Sequence, residues 1–410
     1  MSLSRICRVA APVMLAAGLL STSMGATANA QSTATNADFF QAPSPLTSGK
    51  PGQLIRYQST TVNLGAGAPA ATATTVMYHS RTSTGADDAV TGTVLQPQAV
   101  WAGPGPRPVV SFAVGTQGLA QSCAPSKQMT AGTEYEASNI SQALRQGWDV
   151  EVTDYEGYTT GSTPTYVAGL SEGHAVLDIV RAAAQVPGSD VIATSPLTIW
   201  GYSQGGGASA WATVLQPTYA GGLHLLGDAS GGVPADSRAV NDSLNGNVGA
   251  GFLIYGMIGF AQAFPDQVPL YSHANTAGLN AFALAKTQCT SQSLSTFAGA
   301  NFSNYLKPGE TLSSFQALPG VSSVLADNSI TFNSALPHVP VLQYHGTADE
   351  IVPLAQAQTL HSTWCAKGVQ TQLNLFASDH LTTNTEAAPI AVSFLADRFA
   401  GRPYTANCLT

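Results

Sequence analysis

Apolar positions along the chain recur with two periods. The pattern marks Thr75–His79 and Ala89–Leu95 as strands, and Gly85, Asp87 and Asp88 sit between them as a turn. Apolar stretches at 109–114, 148–153, 197–200, 339–344 and 371–376 also predict strands. Helical spacing predicts helices over 138–146, 171–184, 208–215, 354–367 and 387–400. In the second of these, Val176, Leu177, Ile179, Val180 and Ala183 share one face. Strands alternating with helices predict an α/β protein: a mostly parallel central sheet flanked by helices.

Residues 237–335 break this rhythm, being rich in Gly, Asn, Ser, Ala and Phe. Ser243 to Phe264 carries no charge. Five glycines and the polar Asn245, Asn247 and Gln262 make it a poor bilayer span, so it reads as part of a cap packed over a site. The expected plan is a leader over 1–30, a core over 31–236 and 336–410, and a largely helical cap over 237–335. Residues 31 to about 50, with Pro43 and Pro45, read as a loose arm.

The leader has the parts of an export signal. Arg5 and Arg8 precede an apolar stretch from Val9 to Leu20, and Ala28-Asn29-Ala30 offers a cleavage site before Gln31. The stretch is too short to span a membrane, so no transmembrane anchor is expected after its removal. The expected location is extracellular. Cleavage removes two arginines from a chain of net charge −8 and leaves no cluster of cations for nucleic acid. Of five cysteines, Cys7 leaves with the leader. Cys123, Cys289, Cys365 and Cys408 remain, an even number suited to two disulfides with three possible pairings. Their spacing fits no zinc site, and no metal or other cofactor is expected.

The chemistry rests on Gly201-Tyr202-Ser203-Gln204-Gly205, a G-x-S-x-G pattern. The pattern occurs twice, the second time around Ser171. Ser203 directly follows an apolar strand and precedes Gly205, Gly206, Gly207 and Ala208, as a tight strand-to-helix turn requires. Ser171 follows Thr163-Pro164-Thr165, a poor core strand, and reads as a helix N-cap. A serine hydroxyl needs a base and a group to orient that base. Asp349, after the strand ending at Tyr344, is the expected acid, with Glu350 its neighbouring rival. His380, between the strand at 371–376 and the last helix, is the expected base. His361 lies inside a predicted helix, and Asp379 is read as structural. His345 is given no chemistry. Oxyanion donors are expected from the amide of Gln204 and from the loop Gly115-Thr116-Gln117-Gly118, where Gln117 and Thr116 are the candidates.

These residues resemble the secretory lipase family, actinomycete branch, of the α/β-hydrolase superfamily. The resemblance is carried by Gly201-Tyr-Ser-Gln-Gly-Gly206, His345-Gly-Thr-Ala-Asp-Glu-Ile-Val-Pro353, Ser378-Asp-His380, Cys123-Ala-Pro-Ser126 and Asp154-Tyr-Glu-Gly157, from about residue 40 to the C-terminus. It implies a Ser203–His380–Asp349 triad, a mostly helical cap between serine and aspartate, and disulfides Cys123–Cys289 and Cys365–Cys408. The chain departs from the fungal pattern, which has glycine after the nucleophile and an acidic residue in the oxyanion loop. Here those places hold Gln204 and Gly115-Thr-Gln117.

The expected function is that of a secreted serine carboxylesterase, lipase or esterase, acting on acyl-ester or lipid substrates at or near a lipid interface. Acyl transfer to envelope lipids or sugars uses the same triad, as would an amidase. A non-catalytic binding module is the reading from another class, and a complete, ordered triad argues against it. On p-nitrophenyl esters, Ser203→Ala is expected to abolish turnover while Ser171→Ala retains it. The opposite result would move the nucleophile to the second motif.

Overall fold

The computed structural model of the protein describes residues 39–408. The predicted leader, with Cys7 and the Gln31 cleavage point, lies outside them. Among the described residues, nine strands form one sheet: β1 (Leu54–Thr60), β2 (Ala71–Arg81), β3 (Asp87–Pro97), β4 (Val109–Ala113), β5 (Asp149–Thr153), β6 (Pro196–Tyr202), β7 (His224–Gly231), β8 (Val341–Gly346) and β9 (Thr371–Phe376). Their spatial order is β1-β2-β3-β5-β4-β6-β7-β8-β9. β1, β2 and β3 pair antiparallel, and so do β3 and β5. Every pairing from β5 across to β9 is parallel.

Helices α1 (Pro125–Ala131), α2 (Ala137–Arg145), α3 (Gly169–Ala183) and α4 (Gln204–Tyr219) connect the strands up to β7. Seven more lie between β7 and β8: α5 (Ser237–Leu244), α6 (Ala250–Ala263), α7 (Leu270–His273), α8 (Thr276–Ala285), α9 (Thr290–Phe297), α10 (Leu312–Gln316) and α11 (Pro319–Asp327). The chain closes with α12 (Leu354–Ala366), α13 (His380–Glu386) and α14 (Ala388–Phe399). The segment between β7 and β8 has its own apolar core, centred on α6. Leu253, Ile254, Tyr255, Met257 and Ile258 of α6 are all buried, each worth about 1.5–3 kcal/mol for an aliphatic or Met side chain. That burial explains the uncharged stretch. No helix among the described residues is long and apolar enough to cross a membrane.

Four local readings need correction. β1 and β7 carry no apolar pattern that marks them as strands. Neither is assigned from the sequence; β7 holds the small Gly227, Asp228, Ser230 and Gly231, yet its interior is buried. There a side chain on Gly231 would collide with the Tyr344 ring, 2.1 Å from the Cβ position. The arm is not loose from Phe39 onward: Phe39 and Phe40 are buried with Met77 and Ala89, and Lys127 Nζ sits 4.2 Å from the Phe40 ring centre. Ser171 is not an N-cap. It is the third residue of α3, and its hydroxyl donates to Ala168 O at 3.1 Å. Finally, α4 begins at Gln204 rather than near Ala208, because one residue, Ser203, makes the whole turn from strand to helix.

That turn depends on close approach. A Cβ on Gly205 would lie 1.9 Å from Ala113 O, and one on Gly206 2.0 Å from Gly231 O. Both obstacles are backbone in neighbouring strands and cannot swing aside. Gly205→Ala is therefore expected to destabilise the fold by about 1–3 kcal/mol or more, read as a lower melting temperature. An unchanged melting temperature would show that the turn is looser than this packing requires.

Candidate active site

The parallel strands end on one edge, where open α/β sheets place their ligands. Ser203 follows β6, Asp349 follows β8, and His380 follows β9 as the first residue of α13. Ser203 holds φ 60° and ψ −122°, a region L-residues rarely occupy. Its amide donates to Gly231 O at 2.9 Å, and its carbonyl accepts from Gly207 N at 3.0 Å. The strained residue is thus fixed from both sides, between β7 and the first turn of α4.

The structure brings the three expected residues together. His380 Nε2 lies 2.9 Å from Ser203 Oγ, and His380 Nδ1 lies 2.7 Å from Asp349 Oδ2. The aspartate accepts from Nδ1–H, which leaves Nε2 as the acceptor for the serine proton. The imidazole is held besides by its surroundings. Tyr202 donates to His380 O at 2.6 Å, and the His380 amide donates to Glu350 Oε2 at 3.2 Å. The rival Glu350 therefore touches the histidine backbone while Asp349 touches the ring. Asp379 caps α13, accepting from Thr382 N at 2.7 Å. His361 lies on α12 beside Cys365 Sγ at 3.5 Å.

Asp349 is a saturated acceptor with a fully buried side chain. Its Oδ1 takes the amides of Ile351 and Val352 at 2.9 and 2.8 Å. Its Oδ2 takes His380 and also lies 3.3 Å from His345 Nε2. Burial alone would push this carboxyl up. The His380 hydrogen bond and charge, the Val352 amide and His345 outweigh it and hold the carboxyl below its ordinary value. His345 is fully buried and donates to Val352 O at 2.9 Å. Burial pushes its basicity down, against the pull of the Asp349 charge and the Val352 bond.

The loop Gly115–Gly118 faces the serine across a cleft. The Thr116 and Gln117 carbonyls accept from Thr290 Oγ1 and Thr290 N at 2.5 and 3.0 Å, so both point toward α9. Among the described residues the amides of Thr116, Gln117 and Gln204 donate to no protein acceptor. The Gln117 side chain donates to Glu134 Oε1 at 3.0 Å and accepts from Gln128. Thr116 Oγ1 bonds the Tyr166 hydroxyl at 2.7 Å. The cleft has a volume of about 540 Å³ and is lined by Ser203, His380, Thr116 and Gln117 with Tyr135, Val248, Phe252, Leu294, Ile351 and Leu381. A narrower cavity of about 50 Å³ also reaches Ser203 and is lined by Gln204, Glu172, Tyr166, Phe252, Phe260 and Trp211.

Buried acids around the site were not found from the sequence. Glu172 accepts from Gln204 Nε2 at 2.6 Å and from Val167 N at 2.9 Å, and burial raises it to about 7. Glu136 accepts from Gly115 N at 2.5 Å and from Asn384 Nδ2 at 3.1 Å. Burial raises Glu136 to about 7. Burial and then the nearby Glu136 raise Glu134 to about 8. Both implied disulfides are present, Cys123–Cys289 and Cys365–Cys408. His361, Cys365 and Cys408 lie close together, but the two sulfurs are bonded to each other and offer no thiolate to a metal.

A family model described as Secretory lipase matches residues 122–407. Lipase 10 of Candida albicans is 29% identical over 400 residues, covering 90% of this chain and 82% of that protein. A secreted triacylglycerol lipase of Malassezia globosa is 28% identical, covering 73% of this chain and 66% of its own length. Among solved structures, Candida antarctica lipase A in its closed state superposes with a TM-score of 0.81 at 25% identity, covering 91% of this chain and 89% of that one. The rice cell wall degrading esterase LipA from Xanthomonas oryzae superposes with a TM-score of 0.67 at 18% identity, covering 85% and 98%, and speaks for the fold alone. The fold is the α/β-hydrolase fold.

Asp349→Asn is expected to lower kcat roughly ten-thousandfold, by presenting the wrong histidine tautomer. Its effect on stability has a defined sign. A carboxyl held below its ordinary value stabilises the fold above the unfolded value of about 3.9 and loses that contribution as pH falls through the folded value. The melting-temperature gap between wild type and Asp349→Asn should be full at neutral pH and close below about pH 4. A gap that widens in acid would contradict the hydrogen-bond pattern.

Proposed function

The chain belongs to the secretory lipase family, and from that premise we propose that it is a lipase or esterase that cleaves lipid-like acyl esters through an acyl-enzyme on Ser203. The observation that carries this reading is the unbroken line Asp349 Oδ2–His380 Nδ1 and His380 Nε2–Ser203 Oγ, at 2.7 and 2.9 Å. Ser203 Oγ attacks the ester carbonyl as His380 Nε2 takes its proton, and Asp349 stabilises the imidazolium. His380 then protonates the departing alcohol, and the acyl group stays on Ser203. Water enters, gives a proton to His380 and attacks the acyl carbon; the acyl–Ser203 bond then breaks as His380 returns the proton to Ser203 Oγ, releasing the acid.

The free amides of Gln204 and of Thr116 or Gln117 are the proposed oxyanion donors. The mainly apolar cleft supports a lipid-like substrate. No metal or organic cofactor is needed for these steps. In this reading residues 237–335 are the cap, and 31–236 with 336–410 the catalytic core. The family and the two disulfides fit an extracellular location, which requires removal of residues 1–30.

The test is hydrolysis of p-nitrophenyl esters from acetyl to palmitoyl, with fluorophosphonate labelling alongside. The expected result is turnover that peaks at medium or long chains, and a label confined to Ser203. Activity on acetyl and butyryl esters alone would keep the nucleophile and remove the lipid-like substrate. A wild type that is inert on every ester and unlabelled would end the hydrolase reading.

A further inference from the structure

Three consecutive residues, Glu134, Tyr135 and Glu136, converge on the proposed oxyanion loop. Glu134 Oε1 takes the side-chain amide of Gln117 at 3.0 Å, and Glu136 Oε2 takes the backbone amide of Gly115 at 2.5 Å. The Tyr135 hydroxyl packs so closely on Gly115 that a Cβ there would lie 2.3 Å from it. Both glutamates are buried, and Glu136 is 1% exposed. No cation is paired with either among the described residues. Burying a carboxyl without a counter-ion is costly, so ordinary packing gives no reason for it.

The other oxygen of Glu136 shows what the group does. Its Oε1 accepts from Asn384 Nδ2 at 3.1 Å, and Asn384 Oδ1 accepts from Asn139 Nδ2 at 3.0 Å. Asn384 stands on α13 one turn after His380. One buried carboxyl therefore bonds both the loop opposite the serine and the helix that carries the histidine.

We propose that Glu136 is a positioning residue: through Gly115 N on one side and Asn384 on the other, it fixes the oxyanion loop relative to His380. This rests on the ester-hydrolysis reading above. The link uses Glu136 only as an acceptor with a particular shape. A glutamine can serve Gly115 N–H with its carbonyl and donate its amide to Asn384 Oδ1 once Asn384 and, behind it, Asn139 both turn over, so that every donor still meets an acceptor. The requirement is for geometry, because an oxyanion donor acts only where the developing charge will sit.

The experiment compares wild type, Glu136→Ala, Glu136→Gln, Asn384→Ala and the Glu136→Ala/Asn384→Ala double variant on p-nitrophenyl esters. Glu136→Ala should lower kcat at least tenfold with KM within twofold, and Glu136→Gln should restore kcat to within about threefold. The double variant should be no slower than Glu136→Ala, because both changes break one link. Unchanged kcat in Glu136→Ala, losses that multiply in the double variant, or a loss carried by KM would each overturn the proposal. If Glu136→Ala fails to fold, Asn384→Ala decides: a tenfold loss of kcat at an unshifted melting temperature supports the link, and unchanged kcat refutes it. Turnover and labelling of the wild type test the parent reading separately, so an active wild type with indifferent variants sinks only this inference.

Discussion

Much of this structure follows from one strained residue. Ser203 occupies positive φ, where a side chain is tolerated only if the surroundings over-determine it. The surroundings do so by crowding. The helix after the serine starts so close to β4 and β7 that Gly205 and Gly206 leave no room for a methyl group. The hydroxyl is thereby pushed above the edge of the sheet, toward the loops after β8 and β9. A relaxed residue there would lengthen the turn and swing the hydroxyl away from His380.

The other half of the site solves an electrostatic problem. In the proposed reaction the imidazole becomes a cation while nearly out of water, and the acid beside it remains an anion. Asp349 manages this with two backbone amides on one oxygen and two histidines at the other. The amides come from Ile351 and Val352, so the turn that ends β8 solvates its own aspartate. His345, given no chemistry at first, is the aspartate's second ring contact. The parallel strands make such convergence possible, because they deliver three distant segments to one edge.

What could be read in advance divides along physical lines. Strands with apolar runs were legible, and so was the meeting of Ser203, Asp349 and His380 at one edge, since order along the chain and position after a strand are sequence properties. β7 was not, because small polar residues suit a turn as well as a crowded strand. Ser171 was misplaced by a helix that starts two residues earlier, at Gly169. The buried acids were invisible for a deeper reason. Charged residues are 9% of the chain, and nothing in a lone Glu tells whether it faces water. Yet Glu134, Glu136, Asp149, Glu151, Asp154, Glu172, Asp178 and Asp228 are all buried. For Glu136 a partner lies far along the chain, Asn384, 248 residues away.

The Cys123–Cys289 bond spans 166 residues and joins the segment after the Gly115–Gly118 loop to the start of α9. It therefore encloses β5, β6, β7 and much of the segment above them. A protease that cuts anywhere inside this span, for instance at the exposed residues 265–267, severs the polypeptide without releasing a fragment. The two pieces stay one molecule and would separate only on a reducing gel. For a chain closed in this way, a single nick is thus no longer the same event as a loss of parts.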